Sequence, residues 1–141
     1  FRTAALFALR HGASGIGFWC YNIGDDMWQR VRDEYPLVYP AEHGTISSRR
    51  WEAVREGIED YRILVALREY VDNPNNKVNT PVRDRVNKLI SGHLTPWMDQ
   101  GFEEMKLGLA RYVLDLTHND EAVRAFRQEL IACTKDCCAK E

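Results

Sequence analysis

The stretch I-G-F-W-C-Y, residues 16–21, decides how this chain is read, because it is rich in aromatic and β-branched residues and lacks any polar interruption. A strand with one wet face alternates apolar and polar positions. This one does not, so both of its faces are expected to be covered, as in the parallel sheets of α/β proteins. A strand so placed must satisfy its N–H and C=O groups against neighbours. The only other strand candidate in the sequence is the short L-V-Y at residues 37–39. The expected class is therefore α/β, with the rest of the sheet supplied by chain beyond the 141 residues.

Upstream, F-R-T-A-A-L-F-A-L-R at residues 1–10 reads as a helix entered partway, with no capping residue ahead of it, as expected for a segment of a longer chain. H-G-A-S-G at residues 11–15 reads as the helix stop and turn. Downstream, residues 22–48 carry Asn22, Gly24, Asp25, Asp26, Pro36, Pro40 and Gly44, which break any periodicity and predict a long loop bearing aromatics.

Ser47 or Ser48 then caps a helix over residues 49–71, whose apolar face is expected at Trp51, Val54, Ile58, Tyr61 and Val65. On its other face Glu52 with Arg55, Arg55 with Glu59 and Glu59 with Arg62 stand at ion-pairing distances along the helix. Gly57, mid-helix, costs about 1 kcal/mol relative to Ala, so something is expected to approach the backbone there, with helix-on-sheet packing the first candidate. Residues 72–76, D-N-P-N-N, end the helix. Thr80-Pro81 opens a third over residues 80–91, stopped by Gly92. Two more are expected over residues 102–116 and 120–134, the last with Val123, Phe126, Leu130 and Ile131 on one side. The organisation is thus a strand-loop-helix portion at residues 1–71 and a helical extension at residues 72–141.

A formal charge of -2 provides no positive field to hold a phosphate backbone or an anionic membrane, so nucleic acid is not an expected partner. The longest apolar run, residues 4–9, falls far short of the roughly 20 residues that span a bilayer. Of the 4 cysteines, Cys20 sits in the strand-like run and Cys133, Cys137 and Cys138 crowd the C-terminus. Their spacing fits no zinc signature, adjacent cysteines cannot both close onto Cys133, and free thiols are expected. His11, His43, His93 and His118 are isolated, so neither a metal nor another cofactor is expected.

Chemistry gathers where the strand runs into the loop, at F-W-C-Y-N-I-G-D-D-M-W, residues 18–28. Ligands of α/β sheets collect at the carboxyl ends of strands. An indole or phenol ring covers the C–H face of a pyranose while Asn and Asp bind its hydroxyls, so Trp19, Tyr21, Asn22 and Trp28 are candidate sugar contacts. Read structurally, the same aromatics fill a core and plug a loop. Glycoside hydrolysis needs two carboxylates. Asp25 and Asp26 are adjacent, and their side chains diverge in an extended loop, so a capping role fits them better than catalysis. The cluster Arg50, Glu52, Arg55, Glu59 and Asp60 reads as structural ion pairs tying the helix to its surroundings, with Arg50 also placed to orient an active-site acid. The glycines of residues 12–17 precede the strand and lack the dinucleotide spacing, which excludes a Rossmann reading.

At these constellations the chain resembles the C-terminal part of glycoside hydrolase family 123 and its uncharacterised barrel relatives, over about residues 4–67. The resemblance rests on an aromatic-Asn strand end (Trp19, Tyr21, Asn22), an Asp-x-Trp loop (Asp26, Trp28), L-V-Y-P at residues 37–40, and S-x-R-x-E-x-x-R-E-G-x-E-D-Y at residues 48–61. It implies that residues 16–21 form the last strand of a (β/α)8 barrel, that the capped helix is its outer partner, and that a mainly helical tail follows. It also implies a retaining, substrate-assisted hydrolase of N-acetylhexosaminides. The Asp-Glu pair of such enzymes lies on a middle strand, upstream of these residues. Where the family often carries glycines before L-V-Y-P, this chain has D-E-Y-P at residues 33–36.

The expected role is therefore one wall of a glycan site, completed by the remainder of the barrel. Trp19 or Tyr21 would stack, Asn22 would hydrogen-bond, and Trp28 with Tyr39 would close the pocket; a secreted or cell-envelope location follows from the resemblance. The alternative is a noncatalytic helical or carbohydrate-binding module.

Overall fold

The structure is a computed structural model that describes residues 2–18, 37–93, 95 and 120–139. It contains helix α1 (Ala4–Arg10), strands β1 (Val38–Ala41) and β2 (Gly44–Ser47), and helices α2 (Arg49–Asp72), α3 (Thr80–His93) and α4 (Asp120–Cys138). Two compact units are present, Phe1–Ile58 and Glu59–Glu141. The described chain is mainly helical with one small antiparallel sheet, and no barrel occurs among the described residues.

In the first unit α1 stops as the sequence requires. Gly12 takes φ +69°, a left-handed conformation that glycine enters without a Cβ penalty. The Gly12 N–H then donates to the Leu9 carbonyl (3.2 Å) and the Ala13 N–H to the Ala8 carbonyl (2.8 Å), which satisfies two of the carbonyls that the last turn leaves open.

Residues 16–18 depart from expectation. They form no strand, and Ile16 and Phe18 are 38% and 39% exposed rather than covered. A strand exists only through a ladder with a neighbour, and the described sheet contains β1 and β2 alone, paired with each other. The remainder of the proposed strand, from Trp19 onward, lies outside the described residues.

L-V-Y does become a strand, but its partner comes from residues expected to be loop. Val38 faces Ser47, Tyr39 faces Ile46, Pro40 faces Thr45 and Ala41 faces Gly44, joined by Glu42-His43. Gly44-Thr45-Ile46-Ser47 is too short and mixed to show a strand pattern, and it is fixed by pairing rather than by propensity. Just beyond the hairpin the Ser48 N–H donates to the Leu37 carbonyl at 3.1 Å, with Leu37 only 1% exposed. By this register Leu37, Tyr39 and Ala41 turn their hydrogen-bonding groups toward β2, so Pro40 turns its N–H-less nitrogen away from it, where a proline is tolerated.

Ser48 also caps α2. Its Oγ accepts from the backbone N–H groups of Arg50 and Trp51, both at 3.1 Å, which satisfies donors that the first helical turn leaves open. The buried stripe of α2 is Val54, Gly57, Asp60, Leu64, Leu67 and Val71, whereas the expected members Trp51, Ile58, Tyr61 and Val65 are half-buried. An apolar count does not find this stripe, because two of its positions are a glycine and a carboxylate. Gly57 is held by the approach it predicts, although the approaching group is not a sheet: a Cβ at 57 would overlap the carbonyl of Arg2.

The second unit is built on α3 and α4, which pack against each other, and the last turns of α2. Its buried side chains are Leu64, Leu67 and Val71, then Val82, Val86 and Leu89, then Phe126, Leu130, Cys133 and Cys137. The cap of α3 is Asn79 rather than Thr80, since Asn79 Oδ1 accepts from the Val82 N–H at 3.0 Å; Pro81 follows within the first turn, where its missing donor costs nothing. Helix α3 continues through Gly92 to His93. Helix α4 outlasts its expected end by one turn. Its buried face continues from Phe126 and Leu130 to Cys133 and Cys137, while Ile131, expected inside, is 45% exposed. The expected helix over residues 102–116 lies outside the described residues.

Candidate functional site

Of the candidate sugar contacts, Trp19, Tyr21, Asn22 and Trp28 lie outside the described residues, as do Cys20, Asp25 and Asp26. Tyr39 is described. It is half-buried on β1 opposite Ile46, and the pair is held in register by the hairpin.

The ion-pair cluster of α2 is arranged differently from its sequence spacing. Arg55 Nη1 and Glu52 Oε2 pair at 2.8 Å on an exposed face. Glu59 and Arg62 make no ion pair among the described residues. Glu56 instead binds Arg2, Nη1 to Oε2 at 2.6 Å, beside the point where the Arg2 carbonyl crosses Gly57. Arg2 thus lies against α2 with its backbone and is held there by its side chain. Arg50 is half-buried, and its backbone N–H serves the Ser48 cap. Asp60, expected among surface pairs, is 3% exposed, with Arg127 Nε of α4 at 3.9 Å from its Oδ1.

A second charged cluster belongs to the other unit. Arg85 of α3 reaches two acids of α4: its Nε donates to Glu129 Oε1 at 2.7 Å and its Nη1 to Asp136 Oδ2 at 2.5 Å. The hydrogen bond from Arg85 holds the Glu129 carboxyl below its ordinary range, against the opposing effect of burial. The same two acids push the guanidinium further up. Between the acids, on the same face, lies Cys133, fully buried; burial raises its thiol against the pull of Arg85. Its Sγ lies 3.9 Å from Glu129 Oε1. Cys133, Cys137 and Cys138 are all free thiols. Among the described residues no group of three or more His, Cys, Asp or Glu converges as a metal site would require, and no helix is long and apolar enough to cross a membrane.

Sequence reasoning missed this clasp because its partners stand 44 and 51 positions apart. One local signal was available. Glu129, Cys133 and Asp136 follow steps of four and three residues, so two acids bracket a thiol on a single helical face.

Comparison of the chain with family models, with curated proteins and with solved structures returns no match.

Proposed function

We propose that this chain is the C-terminal portion of a glycoside hydrolase-like protein and forms one wall of a site for N-acetylhexosaminides. In this reading residues 16–21 become a barrel strand only when strands from the remainder of the barrel pair with them, and α2 is the outer helix of that strand. The supporting observation is the hydrogen bond from the Ser48 N–H to the Leu37 carbonyl, which joins the L-V-Y-P run to the S-x-R-x-E-x-x-R-E-G-x-E-D-Y run in a single piece of structure. Within that piece Ser48 caps, Gly57 admits a backbone and Asp60 is buried, so three motif positions carry duties particular to their residue types. Tyr39 stands at its edge as the described candidate for the pocket wall.

The test is binding of N-acetylhexosamine oligosaccharides by the intact protein, repeated with Trp19→Ala and Trp28→Ala. Loss of binding in either variant, with an unchanged unfolding midpoint, supports the wall; equal binding by both variants and the parent overturns it.

The second reading, a noncatalytic helical interaction module, is favoured by a different observation: the second unit has a buried core of its own, drawn from α2, α3 and α4. Absence of glycan binding by the intact protein would leave this reading in place.

A further inference from the structure

Within the second unit α2 and α4 run side by side in the same direction. Asp60 lies across from Arg127, and further along both helices Leu67 shares a hollow with Thr134, and Tyr70 shares it with Cys138. That hollow, about 300 Å³, is open to solvent. An isoleucine stands out of each helix beside it. Ile63 is 40% exposed, and Ile131, one turn before Thr134 on the same side of α4, is 45% exposed.

Charge divides between the two helices along this face. Steps of three and four residues, or two turns, place Glu59 with Ile63 and Ala66 on α2, and Arg124 and Lys135 with Ile131 on α4. Glu59 makes no ion pair among the described residues. An apolar middle with an acid on one helix and bases on the other is complementary to itself.

Two-fold symmetry decides which residues meet. With the axis parallel to the helices, α2 of each copy packs on α4 of the other, and positions along the axis are preserved. Asp60 and Leu67 stand level with Arg127 and Thr134, so Ile63 comes level with Ile131 of the second copy, and Glu59 with the turn after Arg124 of the second copy. With the axis across the helices, α4 packs on α4 and sets Arg124, Arg127 and Lys135 against the same cations. Like charges brought together at an interface oppose association, so charge selects the parallel arrangement.

From this self-complementarity we propose that the α2–α4 face binds a second copy of this chain about a two-fold axis. Ile63 packs on Ile131 of the second copy at the centre, and Glu59 pairs with Arg124 of the second copy at the rim. Each contact occurs twice, as an isologous interface requires. The face uses no residue of the sugar wall, so dimerisation does not depend on either reading of the function.

The test is sedimentation equilibrium of the intact protein, where a species of twice the chain mass is expected. Ile63→Glu and Ile131→Glu, both at exposed positions, are each expected to leave a monomer of unchanged helical content. Glu59→Lys turns two exposed attractions into repulsions and is expected to weaken association about tenfold, and Glu59→Lys combined with Arg124→Glu restores it. In a Cys138→Ser background, Ile63→Cys mixed with Ile131→Cys is expected to form a disulfide-linked pair on mild oxidation, which neither chain forms alone. Should an isoleucine variant lose helical content, the charge swap and the cross-link decide. A parent that stays monomeric at every concentration, whatever other protein it binds, overturns the proposal. A dimer that survives both glutamate variants, a charge swap that fails to restore association, or equal cross-linking of either cysteine chain with itself overturns it as well.

Discussion

The carbonyl group of Arg2 occupies the space in which a side chain at Gly57 would begin. The contact is backbone against backbone, so neither partner can rotate aside as a flexible side chain would. It joins the first turn of the chain to the middle of α2, and the Arg2–Glu56 pair at 2.6 Å lies directly beside it.

Gly57→Ala is therefore expected to destabilise the protein although helix propensity alone favours alanine by about 1 kcal/mol. Displacing the Arg2 carbonyl costs about 1–3 kcal/mol, the range for overpacking a close contact. Urea unfolding of parent and variant measures the difference. A variant more stable than the parent would mean that Arg2 does not sit against α2.

Ser48→Ala removes the acceptor for two backbone N–H groups at the start of α2, and its expected cost is about 1 kcal/mol. Asn79→Ala is expected to cost a similar amount at α3, where one N–H depends on the side chain. Thr80→Ala should have the smaller effect, and the three midpoints side by side identify which residue is the cap.

Glu129 ionises below its unfolded value near 4.5 because Arg85 hydrogen-bonds its charged form. A carboxyl depressed on folding contributes stability that is complete above the unfolded pKa and is lost as pH falls through the folded one. Stability measured downward from about pH 5 should thus decline, and Arg85→Met should flatten that decline. The arginine side chain is 39% exposed, so solvent screening limits each contact to about 1 kcal/mol or less, and added salt should reduce it further. An unchanged pH profile in the variant would remove the clasp from the account of stability.

The C-terminal thiols should differ in reactivity. Burial raises the Cys133 thiol and shuts it away from reagents, whereas Cys138 is exposed. Iodoacetamide followed by mass mapping is expected to modify Cys138 in the native protein and Cys133 only once denaturant is present. Early modification of Cys133 would contradict its place in the core of α4.

What the sequence disclosed divides by range. Features settled within a few residues were legible: the Gly12 stop of α1, the serine start of α2, the Asn-rich end of that helix and the existence of α4. Features settled by tertiary contact were not. Residues 44–47 become a strand only because residues 38–41 lie beside them. The buried side of α2 runs through Gly57 and Asp60, which hydrophobic periodicity does not weigh, and that of α4 runs through Cys133 and Cys137, which the expected face of Val123, Phe126, Leu130 and Ile131 does not include. In the candidate sugar site, the ring-bearing residues could be named from their types, but of these only Tyr39 falls among the described residues. The Arg85 clasp had no signal on α3 at all, because a lone arginine does not reveal which acids it will meet.

The clasp also implies an order of assembly. The caps of α2 and α3 close over two or three residues, so they can form as soon as each helix nucleates. Arg85 finds Glu129 and Asp136 only after a loop of more than 40 residues has closed, and the entropy of that closure must be spent before either bond forms. Weakening it should thus leave the early refolding of the helices unaltered and act on the final docking of α4, chiefly by hastening the return to the unfolded state.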